Sequence, residues 1–151
     1  MSVFLGIDPG ATGALALISD TGEAQVVDWQ GDERAMAAHL SLWLDLYGPP
    51  ASVALERQQS MPKQGVASVF KLGANYGIWL GLLAAYGLPT ILPRPCDWKK
   101  GYVPAKSDKD ASLAVARRLF PTVPLGLKKH HGRAEALLLA DFARREFEGK
   151  K

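Results

Sequence analysis

Three acids and a histidine stand where their surroundings could turn them to chemistry. Asp8 closes the apolar run Val3-Phe-Leu-Gly-Ile7, and Glu56 closes a second, Ser52-Val-Ala-Leu55. An ionised carboxylate at the end of a buried strand is costly unless something positive meets it. No Lys or Arg occurs between Met1 and Gln30, so a partner for Asp8 must come from distant sequence, from a ligand or from a metal. The structural alternative is that Asp8 accepts backbone N–H groups within its own Asp-Pro-Gly turn. Two carboxylates in one crevice repel, so one takes up a proton or both share a cation. Oxygen-only ligation points to Mg²⁺ or Mn²⁺ rather than zinc, and the single Cys96 is too isolated to change that. Farther along, His131 and Glu135 lie four residues apart and so share one face of a helix. Glu135 near a helix start also favours the helix dipole. Asp141 falls off that face and reads as a surface acid, and His130 as a solvated loop residue.

These residues meet only if the chain folds to bring strand ends together. Val3–Asp8 reads as a buried strand, Pro9-Gly10 and Gly13 as a turn, and Leu15, Leu17 and Ile18 as a returning strand. A third strand follows over Ala24–Trp29, since Val and Trp favour strands. From Asp32 to Tyr47, Met36, Leu40, Trp43, Leu44 and Tyr47 form one helical stripe. Gly48-Pro49-Pro50 stops it before the strand 52–56. A second helix runs over Val66–Tyr86, and a short strand over Thr90–Leu92. Ser107 caps a helix through Phe120, with Asp108 and Asp110 in its first turn, and a last helix spans Gly132–Phe147. The expectation is one α/β domain over residues 1–151. Its five-stranded mixed sheet has a three-stranded antiparallel meander plus two parallel strands, flanked by helices. The helical crossover makes the first and fourth strands parallel, and both are apolar enough to be central. Asp8 and Glu56 then emerge at the same end of the sheet.

The composition agrees with a globular domain. Of 151 residues, 48% are hydrophobic and 22% charged, and that length suffices for one sizeable core. No segment is expected to approach the roughly 18 consecutive apolar residues of a membrane span. The N-terminus is expected to enter the first strand directly, without a basic, apolar-core leader. One cysteine cannot form an intramolecular disulfide, which suits a reducing cytoplasm. The net charge is +3, but eight Lys and Arg side chains between Lys99 and Lys129 face only two acids, Asp108 and Asp110. That skew suits a polyanion such as nucleic acid.

Four segments in order carry a resemblance: GIDPG at the first strand, ALER at the fourth, FKLGANYGIWLGLLAAYGLP in the next helix and HGRAEALLLA in the last. Together they resemble the RuvC family of Holliday-junction resolvases, with the phage-type and related branches nearest. The likeness runs from residue 3 to about residue 145. It implies an RNase H-like fold, a homodimer, and divalent-metal-dependent cutting of four-way DNA junctions. It also implies Asp8, Glu56 and Glu135 as metal ligands for two Mg²⁺ ions, with Mn²⁺ able to substitute and Asp8 bridging. Glu135 stands where the family commonly has Asp, one methylene shorter. The family usually has an acid or a histidine about one turn earlier. Gly132 cannot ligate, so His131 takes that role, as ligand or as base. A phage origin would place the protein in the host-cell cytoplasm.

The substrate is expected to be held elsewhere. Arg57, Lys63, Lys99, Lys100, Lys106 and Lys109 are the phosphate-contact candidates. Gln59 and Met61 lie in the segment after Glu56, where the family can carry an aromatic wedge. Trp98 reads as a core anchor in preference to a DNA-facing ring. Gly73, Gly77 and Gly81, four apart, leave one helix face without side chains. The helix can pack there on its own sheet or on a second copy of the chain. Two rival functions stay open: an RNase H-like nuclease of broader flap or hybrid specificity, and a junction-binding module that does not cut. An actin-like phosphotransferase needs a second phosphate loop, which this chain lacks.

Overall fold

The computed structural model describes residues 1–150. Five strands form one sheet in the order β3-β2-β1-β4-β5, with β1 Val3–Asp8, β2 Ala14–Ser19, β3 Ala24–Asp28, β4 Ser52–Leu55 and β5 Thr90–Ile91. β1, β2 and β3 form the antiparallel meander, while β4 joins β1 and β5 joins β4 in parallel. The central pair β1 and β4 is the expected one. Phe4 pairs with Ser52 and Ile7 with Leu55, so the residues that follow both strands leave at one edge of the core.

The alternation of β1 sorts two hydrophobic layers. Val3, Leu5 and Ile7 face Met36, Leu40 and Trp43 of α1 (Glu33–Tyr47) and Trp79 and Leu83 of α2 (Val66–Ala85). Phe4 faces the other layer, built from α4 (Lys109–Leu119) and α5 (His131–Gly149). α1 starts where expected, with the Asp32 carboxylate accepting the Arg34 N–H at 2.9 Å.

α5 is almost wholly buried from Ala134 to Ala140, because the sheet covers one side and α4 another. The close approach depends on glycine. A Cβ on Gly6 would fall 2.0 Å from the Ala136 carbonyl oxygen, and one on Gly132 would fall 2.0 Å from that of Thr12. Such distances exclude any side chain.

Four expectations are corrected. Asp141 is buried, because its position on α5 faces the loop before α4. There it accepts the Tyr102 hydroxyl at 2.7 Å and pairs with Arg144 at 2.6 Å and Arg145 at 2.8 Å. His130 is buried too: it ends a single 3₁₀ turn, Lys128–His130, and its Nδ1 accepts the Leu127 N–H at 3.2 Å. α4 is capped by Asp108, which accepts the Ala111 N–H at 3.1 Å, while the Ser107 hydroxyl donates to the Pro104 carbonyl. α2 is long and apolar enough to cross a membrane by length and composition, because its glycines and alanines escape a count of bulky apolar residues.

A short helix absent from the sequence reading, α3 (Pro95–Lys99), follows β5. Proline at its first position and Asp97, which accepts the Arg94 N–H at 3.0 Å, account for it.

Candidate active site

β1, β4 and α5 bring Asp8, Glu56 and Glu135 together. Asp8 is partly buried, and its Oδ1 accepts the Gly10 N–H at 3.0 Å, so the turn-capping role is real. It is not the whole account. Burial, the neighbouring Glu135 and, less strongly, Glu56 push the Asp8 carboxyl up to about 7. Glu56 is 7% exposed and is likewise pushed up, first by burial and then by Glu135. Crowded acids with raised pKa values mark sites built for a cation or a proton.

α3 clasps the cluster from one side. The Trp98 indole N–H donates to Glu56 Oε2 at 2.7 Å, and the Gln58 amide donates to Glu56 Oε1 at 3.1 Å. Lys99 lies 3.3 Å from Glu135 Oε1, with its ammonium 5.5 Å from the Trp98 ring centroid. These contacts oppose the upward shift of Glu56. They also hold its two oxygens and Glu135 on separate partners. Among the described residues no group of three or more His, Cys, Asp or Glu side chains is already arranged to hold a metal ion.

The donor set nevertheless fits a hard cation, because three carboxylates share one crevice and a lysine ammonium already partners one of them. His131 is half-buried at the start of α5, and among the described residues its side chain makes no hydrogen bond or ion pair. Gly132 has no room for a ligating side chain.

Sequence reasoning missed Trp98, Gln58 and Lys99 as partners of the acids. Trp98 is fully buried, as its core-anchor reading required, and it also orients a carboxylate. The available signal was topological: β5 lies parallel beside β4, so residues after β5 emerge at the acidic end of the sheet.

Several nucleic-acid candidates line two clefts, one of which includes Glu56. Arg57, Gln59, Met61, Lys63, Lys100, Lys106 and Lys109 are exposed. A cleft of about 470 Å³ runs beside Glu56, between Arg57–Met61 and Arg94–Cys96. A second, of about 450 Å³, is lined by Lys99, Lys100, Lys106 and Ser107. Lys63 and Lys106 hold left-handed backbone, with φ of 69° and 61°. That conformation costs a non-glycine residue about 1–2 kcal/mol and collects at functional loops.

Comparison with known structures settles the architecture. RuvC from Thermus thermophilus in complex with a Holliday junction substrate superposes with a TM-score of 0.68 at 20% identity, over 99% of this chain and 96% of that one. The fold is that of RuvC. A second Thermus thermophilus RuvC structure gives a TM-score of 0.66 at 21% identity, over 98% and 95% of the two chains. In sequence, the chain is 38% identical over 121 residues to the chloroplastic Holliday junction resolvase MOC1 of Chlamydomonas reinhardtii. That alignment takes in 75% of this chain and 14% of the relative's length. No family model matches the chain. The RuvC-like resemblance read from the four sequence segments is borne out.

Proposed function

We propose that the chain is an endonuclease that resolves four-way DNA junctions by metal-dependent phosphodiester hydrolysis. The carrying observation is the crowded trio Asp8, Glu56 and Glu135 at one end of a RuvC-fold sheet. The likeness to the MOC1 resolvase supports the substrate class.

Asp8, Glu56 and Glu135 would hold Mg²⁺, two ions per site, with Mn²⁺ as a substitute. His131 lies one turn before Glu135. Bound metal supplies positive charge to the oxygens of the scissile phosphate and acidifies the attacking water. The chain's own residues do the rest. Asp8 would serve as a carboxylate ligand, and Trp98 keeps Glu56 oriented. Lys99 moves from Glu135 towards phosphate, and His131 accepts a proton from water. Arg57, Lys63, Lys100, Lys106 and Lys109 contact backbone phosphates on either side. Gln59 and Met61, the latter 58% exposed, overhang the cut.

A junction needs two symmetric nicks, and a two-fold dimer supplies two sites in that relation. We assign the dimer contact to α2. Val66 and Phe70 are 88% and 76% exposed, and Gly73, Gly77 and Gly81 have open space where a Cβ would stand. These glycines therefore do not pack on their own sheet. An exposed, uncharged stripe of small residues flanked by Phe70 suits the same face of a second copy. The exposed free thiol of Cys96 fits a reducing compartment such as the cytoplasm.

A second reading, a junction binder that does not cut, is favoured by the Lys99–Glu135 contact, which already neutralises one acid. Cleavage of a labelled four-way junction beside linear duplex, flap and RNA–DNA hybrid separates the readings, with Mg²⁺, Mn²⁺ or chelator. Paired nicks in the junction alone, lost in Asp8→Asn while binding persists, support resolution. Equal cutting of flap or hybrid makes it a broader nuclease, and tight binding without cutting makes it a binder.

A further inference from the structure

Asp8 stands on a turn with two sides. Its own side faces α5 and the acids; the other faces α1 and α2, where Ile7 points. On that second side a cleft of about 490 Å³ opens between Ala11 of the turn, Trp29 and Gln30 of the β3–α1 connection, Glu33 at the start of α1, and Lys71 and Asn75 of α2. The turn and the connection are tied together, since the Trp29 N–H donates to the Gly13 carbonyl at 2.9 Å. Trp29 is braced against Trp79, with ring centroids 5.9 Å apart. Lys71 and Asn75 share one helix face. Among the described residues neither the Lys71 ammonium nor the Asn75 amide has a hydrogen-bond or ion-pair partner.

The chemistry of this cleft differs from that of the lysine-lined cleft beside α3. Lys71 and Glu33 balance in charge, so the lining does not favour a bare phosphate. An indole, two amides, one cation and one acid instead suit a flat, neutral, polar group with a phosphate at its edge. The volume lies within the range of small-ligand sites. We propose that this cleft takes one unpaired nucleotide of the DNA. Its base lies against Trp29, its edge is read by Asn75 and Gln30, and its phosphate meets Lys71. Because the same turn carries Asp8, the nucleotide seated there lies next to the one being cut. Base identity near the crossover is therefore sensed on the α2 side of the turn. The inference deepens the junction-resolving reading and rests on it for its substrate.

The test has two arms. In chelator, fluorescein-labelled six-nucleotide single strands are titrated against the wild-type chain and Lys71→Ala/Asn75→Ala by anisotropy. Lys71 is exposed and Asn75 half-buried, and circular dichroism checks the fold. The double variant is expected to bind roughly tenfold or more weakly, as loss of a base contact predicts. Equal affinity overturns the inference, whatever cleavage shows. In Mg²⁺, four-way junctions differing only in the bases flanking the crossover are cut by wild type and by Asn75→Ala. Rates that depend on base in the wild type and level out in the variant support the cleft. The same base dependence in both overturns it. Wild type that cuts no junction sinks the resolvase reading instead, and leaves the binding arm to decide the cleft.

Discussion

Replacing Asp8 by Asn removes a charge that the metal-free protein keeps at a cost, so the variant gains stability where the wild type loses it. In the fold the Asp8 carboxyl is pushed from 3.8 to about 7, which makes the native state the stronger proton binder between those values. The stability contributed by that proton is full below pH 3.8 and is lost as pH rises through about 7. A shift of this size corresponds to about 4 kcal/mol. Relaxation among three coupled acids reduces it, leaving an expected gain of about 2–4 kcal/mol for Asp8→Asn near pH 8. Asn still accepts the Gly10 N–H, so the turn itself is unaffected. For a chain of this length that gain is a rise of roughly 4–16 °C in Tm. Urea titrations in chelator at about pH 5, 6.5 and 8 measure it. The difference between the two chains should grow with pH. Mg²⁺ should raise the wild-type midpoint near pH 8 and leave the variant's in place. A variant no more stable than wild type near pH 8 would refute the crowding of Asp8 by Glu135 and Glu56.

Trp98→Phe keeps the buried ring but removes the donor to Glu56. The Mg²⁺ concentration for half-maximal protection against urea should rise roughly 10–100-fold, and an unchanged value would mean Glu56 needs no such orientation. Gly6→Ala drives a methyl into the Ala136 carbonyl and should cost about 3 kcal/mol or more, read from the urea midpoint. Gly77→Leu should give monomers by light scattering; an unchanged dimer would move the interface off α2. Lys106→Glu with Lys109→Glu should make the salt dependence of junction binding shallower by a slope of about 2, and an unaltered slope would place the phosphate contacts elsewhere.

What could be read from the sequence followed from local signals with few competing solutions. The apolar runs ending on Asp8 and Glu56, with a helix between them, fixed two parallel central strands. The α1 stripe from Met36 to Tyr47 found its layer, and Gly10, Pro49 and Gly87 marked the turns. The misses were tertiary. Asp141 and His130 are polar residues. Tyr102 reaches Asp141 from the loop before α4, Arg144 and Arg145 meet it one turn on along α5, and the Leu127 N–H meets His130. Of these, the Tyr102 contact is what a helical wheel does not show. α3 is only five residues long, too short for any period. Its contacts with Glu56 and Glu135 follow from where β5 ends, not from its own pattern. The stripe Gly73, Gly77 and Gly81 gave no sign in sequence of which way it faced, and the open space above it shows only that it does not pack on its own sheet.

α5 meets the sheet backbone to backbone at two points, Ala136 against Gly6 of β1 and its own Gly132 against Thr12 of the following turn, and two fixed points leave a rod no freedom to slide. Main-chain contact at these two points adds to the side-chain packing that sets the axial register of α5, and Glu135, between those points, inherits it. Loop-length changes between α4 and α5, in residues 120–127, would be absorbed upstream without moving the acid. Divergence in that connection and a stationary reaction centre are compatible in this fold. The α3 side, where contacts run through side chains, is where adjusting the acids remains open to single substitutions.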